Sequence, residues 1–148
     1  MAEDEGQQYK PGSQAETDNK TARGKILDMM VYAMPLIEKW SVCHQKLLGN
    51  KLAEIMEEML LLANDVQWLP NKKTPLKKLD SLNKGLHDMI EAAYELKYLQ
   101  GPSSLHEWQR RSEEIGRLIG GLTAAIYGDG SPPKEKQVYR HTTHGRRG

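Results

Sequence analysis

The sequence predicts an all-α protein, an up-down antiparallel four-helix bundle formed by a single domain. Apolar residues recur in four separate runs with alternating spacings of three and four, which places each run along one stripe of a helix. Short segments with proline, glycine or serine separate the runs, and no segment has the alternating pattern of a half-buried strand. Because short connections make consecutive amphipathic helices antiparallel neighbours, the four runs predict a bundle.

The first two helices are predicted on either side of a weakly marked break at Ser41, which has the side chain of an N-cap. The predicted core positions of the first helix are Ile26, Met30, Ala33, Ile37 and Trp40. Those of the second helix are Leu48, Leu52, Ile55, Met59, Leu62, Val66 and Leu69.

The last two helices have clearer boundaries. Thr74 and Pro75 predict the N-cap and first turn of helix three, and Gly101 with Pro102 predicts its end. Ser104 and Glu107 have the spacing of a capping box for helix four. The core positions are Leu79, Leu82, Leu86, Met89, Ala93 and Leu96 in helix three, and Leu105, Trp108, Ser112, Ile115, Ile119, Leu122 and Ile126 in helix four. The hydroxyl of Ser112 is expected to bond to its own helix backbone.

Charge and composition divide the chain of 148 residues into a bundle, residues 25–127, and two polar tails. The tail 1–24 has three basic and five acidic side chains, whereas the tail 128–148 has five basic and two acidic ones. Both tails are predicted to be disordered because they hold too little apolar surface for a core. No apolar run suits a signal peptide or a membrane span, and the single Cys43 fits a reducing compartment, so we expect a cytoplasmic protein without membrane contact.

The sequence lacks the usual arrangements of catalytic and metal-binding residues. None of the five histidines follows a glutamate at the spacing that di-metal helix bundles use, and no phosphate-binding loop or nucleophile motif occurs. His141 and His144 form a pair in the basic tail, where a solvated segment is the simpler interpretation. We therefore expect no enzyme, no cofactor and no metal site.

Three glycines inside helix four indicate a surface for close contact. Each interior glycine costs a helix about 1 kcal/mol relative to alanine. With Leu105 and Trp108 on the core stripe, Gly116, Gly120, Gly121 and Ala124 fall on the flank and the outer face of the helix. Leu60 and Leu61 add apolar surface outside the stripe of helix two. These six positions predict an interface with another copy or a partner.

Basic residues cluster in three segments, which raises nucleic-acid binding as a function. The segments are "CHQKLLGNK" with Lys46 and Lys51, "NKKTPLKK", and "WQRR" with Arg110, Arg111 and the more distant Arg117. Self-association would multiply such clusters into a larger charged surface. The alternative is that they are solubilising charges, since the bundle as a whole has equal numbers of acidic and basic side chains.

Several segments resemble one known family, the accessory variability determinants (Avd) of diversity-generating retroelements. "EIGRLIGGL" (residues 114–122) resembles the signature of that family's last helix, and "KWSVCHQKLLGNKL" (residues 39–52) resembles its junction between helices one and two. The turn before "LKKLDSLNKGL" and the segment "AAYELKYL" are also similar. The resemblance covers residues 25–127.

The resemblance implies a homopentameric barrel of four-helix bundles that binds a reverse transcriptase and the template-repeat RNA, and so supports mutagenic cDNA synthesis. By matching position it makes Lys46, Lys51 and Arg117 candidate contacts to RNA or polymerase, while Arg110 and Arg111 are candidates by placement alone. Two alternatives stay open. One is a four-helix protein of the kind encoded in 23S rRNA intervening sequences, and the other is an oligomeric protein–protein adaptor without an RNA role.

Overall fold

The computed structural model describes residues 13–127, with side chains from residue 22 onward. Helix α1 spans Ser13–Glu38. Helix α2 starts with the turn Val42–His44, continues through a π-helical turn at Gln45–Gly49, and then runs as an α-helix over Asn50–Trp68. Helices α3 and α4 span Lys73–Glu95 and Pro102–Tyr127. The described part of the chain has no strand, which confirms the all-α prediction with four main helices.

The four helices pack in a closed ring of neighbours. Helix α1 packs against α2 and α4, and α3 packs against the same two helices from the other side. The connections are only a few residues long, so consecutive helices run antiparallel. Helices α2 and α4 therefore occupy opposite corners. Within residues 13–127, none of the helices is long and apolar enough to cross a membrane.

The predicted apolar stripes supply most of the core, with changes at their edges. Met29 is fully buried while the predicted Met30 is only half-buried, and Met56 and Ile90 join the core from outside the stripes. At the helix ends Leu69, Leu96 and Ile126 are exposed rather than buried. A straight helix has 3.6 residues per turn, so a stripe with a 3.5-residue repeat rotates slowly around it. Residues beside the stripe therefore face the core in places, and residues at the two ends of the stripe face outward.

Helix α1 begins earlier than residue 25, where the sequence places the start of the bundle. Residues 13–24 are helical, and Ala22 is fully buried one turn before Ile26, which continues the apolar stripe. The other residues of the two predicted tails, 1–12 and 128–148, including His141 and His144, lie outside the described residues.

Two predicted caps differ from the structure, and one is confirmed. The hydroxyl of Ser41 accepts the backbone N–H of His44 at 3.1 Å, as an N-cap does. Thr74 is not the cap of α3, because that helix begins at Lys73 and Asn71 Oδ1 accepts the Lys73 N–H. The capping box is also wrong: α4 begins at Pro102, which places Ser104 inside the helix.

Helix α3 ends at Glu95, before the predicted stop at Gly101 and Pro102. Lys97 takes a left-handed conformation with φ 69°. The N–H of Tyr98 donates to the Ala93 carbonyl, and the N–H of Lys97 donates to the Tyr94 carbonyl. These are the two bonds of a Schellman motif, which usually has glycine in the position that Lys97 occupies.

Candidate nucleic-acid and partner surfaces

The connection between α1 and α2 is held by the side-chain amide of Gln45. Its Nε2 lies 3.2, 3.0 and 3.1 Å from the carbonyl oxygens of Ile37, Glu38 and Trp40. The last carbonyls of a helix have no partner within the helix, so this amide satisfies the end of α1. The π-helical turn that carries Gln45 thereby fixes the position of Lys46 and its neighbours.

Three aromatic rings join this connection to the end of α3. The ring of His44 stacks on Tyr98 with centroids 3.9 Å apart and an angle of 15° between planes. Trp40 meets Tyr98 edge-on at 5.3 Å. The apolar pattern does not predict this cluster, although each ring lies within a few residues of a helix end, where such contacts hold a connection in place.

The surface around the cluster is basic and partly apolar. We call it the basic end, defined by the exposed lysines Lys39, Lys46, Lys51 and Lys97. Within the described chain none of these four has an ion pair or a hydrogen bond from its side chain. The apolar side chains of Val42, Leu47 and Leu96 are exposed beside them, and so are the carboxylates of Glu38, Glu54 and Glu95. Four cations against three carboxylates leave this end with a small excess of positive charge.

Arg110 and Arg111, also predicted as contacts, are engaged by carboxylates of their own helix. Arg110 lies 2.9 Å from Glu107 and 3.5 Å from Glu114, and Arg111 lies 2.7 Å from Glu107. The hydrogen bond from Arg110 lowers the pKa of the Glu107 carboxyl, and the same bond raises the pKa of Arg110. Since Glu107 titrates lower in the folded chain, these bonds stabilise the fold at neutral pH and lose that effect in acid.

The same charges connect α4 to α1. Lys25 lies 3.2 Å from Glu114, and the Arg111 guanidinium lies 4.3 Å from the centroid of the Tyr32 ring. Burial raises the pKa of Tyr32, whose ring meets the buried Trp108 edge-on at 5.9 Å. A groove of about 260 Å³ runs between these helices and is lined by Lys25, Asp28, Arg110, Arg111 and Glu114. These contacts indicate that the two arginines stabilise the packing of α4 against α1. Their charges are partly neutralised by Glu107 and Glu114, so they attract an anionic partner less than unpaired arginines would.

The structure does not bring the five predicted basic contacts together on one chain. Lys46 and Lys51 lie at the start of α2, whereas Arg117 is exposed on α4 at the opposite corner. Arg117 has no ion pair within residues 22–127. Lys46 and Lys51 therefore form one candidate contact surface, and Arg117 lies apart from it on α4.

The six predicted interface residues divide into three groups. A Cβ on Gly116 would lie 3.2 Å from Nδ2 of the buried Asn83. This glycine therefore makes room for a side chain inside the bundle, which corrects the prediction that it lies apart from the chain's own packing. Gly121 is exposed, and a Cβ added there would meet no side chain within 4 Å outside its immediate neighbours. Leu61 is 66% exposed. The other three, Leu60, Gly120 and Ala124, are half-buried, and Leu60 packs against the core.

Other exposed apolar side chains were missed. Val31 is 68% exposed, and Leu27 lies one turn before it on the outer side of α1. Trp68 is 67% exposed at the end of α2. Each is an apolar residue outside the core stripe of its helix, which is the signal that identified Leu61.

No family model matches the chain, and the searches of curated proteins and of solved structures find no match either.

Proposed function

We propose that the protein is a non-catalytic, oligomeric accessory protein of the Avd type that acts in the cytoplasm. In this proposal it binds a reverse transcriptase and the template-repeat RNA of a diversity-generating retroelement. The observation that carries the RNA part is the basic end, where four exposed lysines have no partner within the described chain. The polymerase and the retroelement rest on the resemblance of residues 25–127 to the Avd family.

Unpaired lysines favour a polyanionic ligand. A lysine that already pairs with a carboxylate gains little from a phosphate, whereas a free one releases counterions from the nucleic acid on binding. Lys46 and Lys51 at the basic end have no partner within the described chain, and neither has Arg117 on α4. Arg110 and Arg111 are less suited to bind a phosphate because Glu107 bonds to both.

The first prediction concerns the lysines of the basic end. Exchanging Lys46 and Lys51 together for glutamate should weaken RNA binding at least tenfold at moderate salt. Exchanging both for glutamine should make the dependence of log K on log salt shallower by about 1.5, because each lost phosphate contact removes about 0.7 to 0.9 from the slope. The measurement is a binding titration at several salt concentrations with RNA recovered on the tagged protein from its host.

The control is Arg110→Gln, which removes one positive charge from a residue held by two carboxylates. It should leave the salt slope within error of the unmodified protein, whereas Lys46→Gln alone should lower it. Equal slopes for Lys46→Gln, Arg110→Gln and the unmodified protein would contradict the proposed role of the basic end.

The second prediction concerns assembly. Gly121→Leu places a large side chain on the open outer face of α4, where a Cβ would have no neighbour within 4 Å beyond its own helix backbone and adjacent residues. In a monomer this change is harmless or slightly favourable to the helix. If another backbone approaches this face, the oligomer should dissociate while the circular dichroism of the helices is retained.

The comparison is with Gly85→Leu on α3, another helical glycine with an open Cβ position and no predicted interface role. Sedimentation or light scattering gives the mass of each variant. The interface assignment of Gly121 is refuted when its leucine variant keeps the mass of the unmodified protein.

An adaptor function without RNA has one observation in its favour. Val42, Leu47 and Leu96 are exposed at the basic end, and apolar side chains grouped on a surface favour contact with protein. A pull-down that recovers the protein alone, from a lysate shown to contain the polymerase, would favour an adaptor or a bundle of the 23S rRNA intervening-sequence kind. Recovery of a reverse transcriptase with one dominant structured RNA would favour the retroelement.

A further inference from the structure

A second basic surface lies at the other end of the bundle, where α2 connects to α3. We call it the Trp68 patch and define it by Trp68, Lys73, Lys77 and Lys78. Trp68 is 67% exposed, which is unusual for the largest apolar side chain, and Leu69 beside it is also exposed. The proposed contacts at Lys46 and Lys51 do not use this surface, because they lie at the start of α2 and Trp68 lies at its end.

The connection that follows Trp68, between α2 and α3, is held in place by hydrogen bonds. The ammonium group of Lys72 donates to the carbonyls of Val66 at 2.7 Å and Leu69 at 2.9 Å, which caps the end of α2. The Leu69 N–H donates to the Asp65 carbonyl at 2.8 Å. Lys72 is therefore used by the fold, and the tryptophan ring projects from a fixed backbone.

The other three lysines are available to a ligand. Lys73, Lys77 and Lys78 are exposed on the first turns of α3, opposite the buried Pro75 and Leu76. No carboxylate pairs with any of them in the part of the chain that the structure describes. The next carboxylate along α3, Asp80, lies 3.2 Å from Lys84 and is engaged there.

We propose that the Trp68 patch binds single-stranded RNA. One unpaired base stacks on the exposed indole of Trp68, while Lys73, Lys77 and Lys78 contact phosphates on either side. Stacking on an aromatic side chain beside lysines is the usual means of holding single strands without sequence preference. In a duplex the bases are stacked on one another and only the terminal pairs have a free face, so the patch prefers single strands to duplex. The inference takes its ligand class from the proposed function but uses a different surface.

The emission of Trp68 makes the test specific. Trp108 is fully buried and Trp40 is half-buried, so Trp68 is the tryptophan most accessible to acrylamide. We expect a twelve-nucleotide oligouridylate to shield Trp68 from acrylamide and to change its emission. A twelve-base-pair RNA duplex at the same phosphate concentration should bind without either effect.

Variants separate stacking from charge. Trp68→Ala should weaken binding of the single strand about tenfold, because it removes the aromatic face on which one base stacks. The triple exchange of Lys73, Lys77 and Lys78 for glutamine should reduce the salt slope by about two. The matched control is Val31→Ala, which removes an equally exposed apolar side chain from α1 and should change neither quantity.

The inference is overturned if Trp68→Ala binds oligouridylate as tightly as the unmodified protein, or if the duplex shields the indole equally. It is also overturned if polyglutamate displaces the RNA and shields Trp68 to the same degree, which would indicate a site for acidic protein segments. An indole that acrylamide cannot reach in the free protein would mean that another copy covers it, and the proposal would fail. Loss of RNA binding on exchanging Lys46 and Lys51, with none on exchanging Trp68, would sustain the proposed function and reject this patch.

Discussion

Gly49→Ala is expected to lower the free energy of unfolding by about 2 kcal/mol, although alanine is the better helix former. A Cβ on Gly49 would lie 2.7 Å from Cγ2 of Ile37 and 3.4 Å from Cε3 of Trp40. Ile37 is buried and branched at Cβ, so its methyl group cannot rotate away without leaving its preferred rotamer. Helices α1 and α2 must therefore separate locally at the turn that carries Lys46. Urea denaturation followed by circular dichroism measures the change.

Two further variants isolate the cause. Gly85→Ala adds the same methyl group inside α3 where no atom lies within 4 Å, so it should stabilise the chain by up to about 1 kcal/mol. In an Ile37→Ala background the contact is removed, and Gly49→Ala should then cost much less. A Gly49→Ala protein that equals or exceeds the unmodified protein in stability would show that the π-helical turn adapts without cost.

The apolar pattern predicts the helices and most of the core because burial of one helix face follows directly from periodicity. It does not predict how the helices end. The stop of α3 depends on Lys97 taking a left-handed conformation without the glycine that normally marks it. The end of α1 depends on Gln45, which is the first residue of the π-helical turn and donates to a carbonyl eight residues earlier.

For the candidate sites, too, the sequence predicts the kinds of residue present but not their contacts. The sequence identifies which side chains are basic, but it does not reveal which of them are neutralised. The sequence predicts Glu107 in a capping box, whereas in the structure its carboxylate accepts hydrogen bonds from Arg110 and Arg111. Trp68 lies outside the predicted stripe of its helix, so its position indicates an exposed side chain, but the pattern does not show that three lysines without partners lie near it.

The buried residues Asn83 and Ser112 form a polar contact in the core, of which the apolar stripes predict only the position of Ser112. Asn83 lies on α3 beside the predicted stripe, and its Nδ2 donates to the Ser112 carbonyl at 3.0 Å. The Ser112 hydroxyl donates to Asn83 Oδ1 at 3.5 Å, so its expected bond to its own helix is corrected. Both residues are buried between α3 and α4. Gly116 completes the arrangement by leaving room for the Asn83 amide.

Asn83→Ala is expected to destabilise the protein by about 2–3 kcal/mol, because it removes the hydrogen bond between helices, leaves the Ser112 hydroxyl without its acceptor and opens a small cavity. Ser112→Ala should cost less, about 1 kcal/mol, since Asn83 keeps its bond to the Ser112 backbone carbonyl. The double variant should cost less than the sum of the two. Chemical denaturation of all four proteins in the cycle gives the coupling.

A third substitution distinguishes a specific polar contact from a loss of volume. Gly116→Ala brings a methyl group to 3.2 Å from the Asn83 amide and should destabilise the unmodified chain slightly. In the Asn83→Ala background the same methyl group faces the vacated space, so it should recover part of the lost stability. If the costs of Asn83→Ala and Ser112→Ala add to within about 0.3 kcal/mol, the two side chains act independently. The glycine would then need another explanation, and the outer surface of α4 would again be the place to look for it.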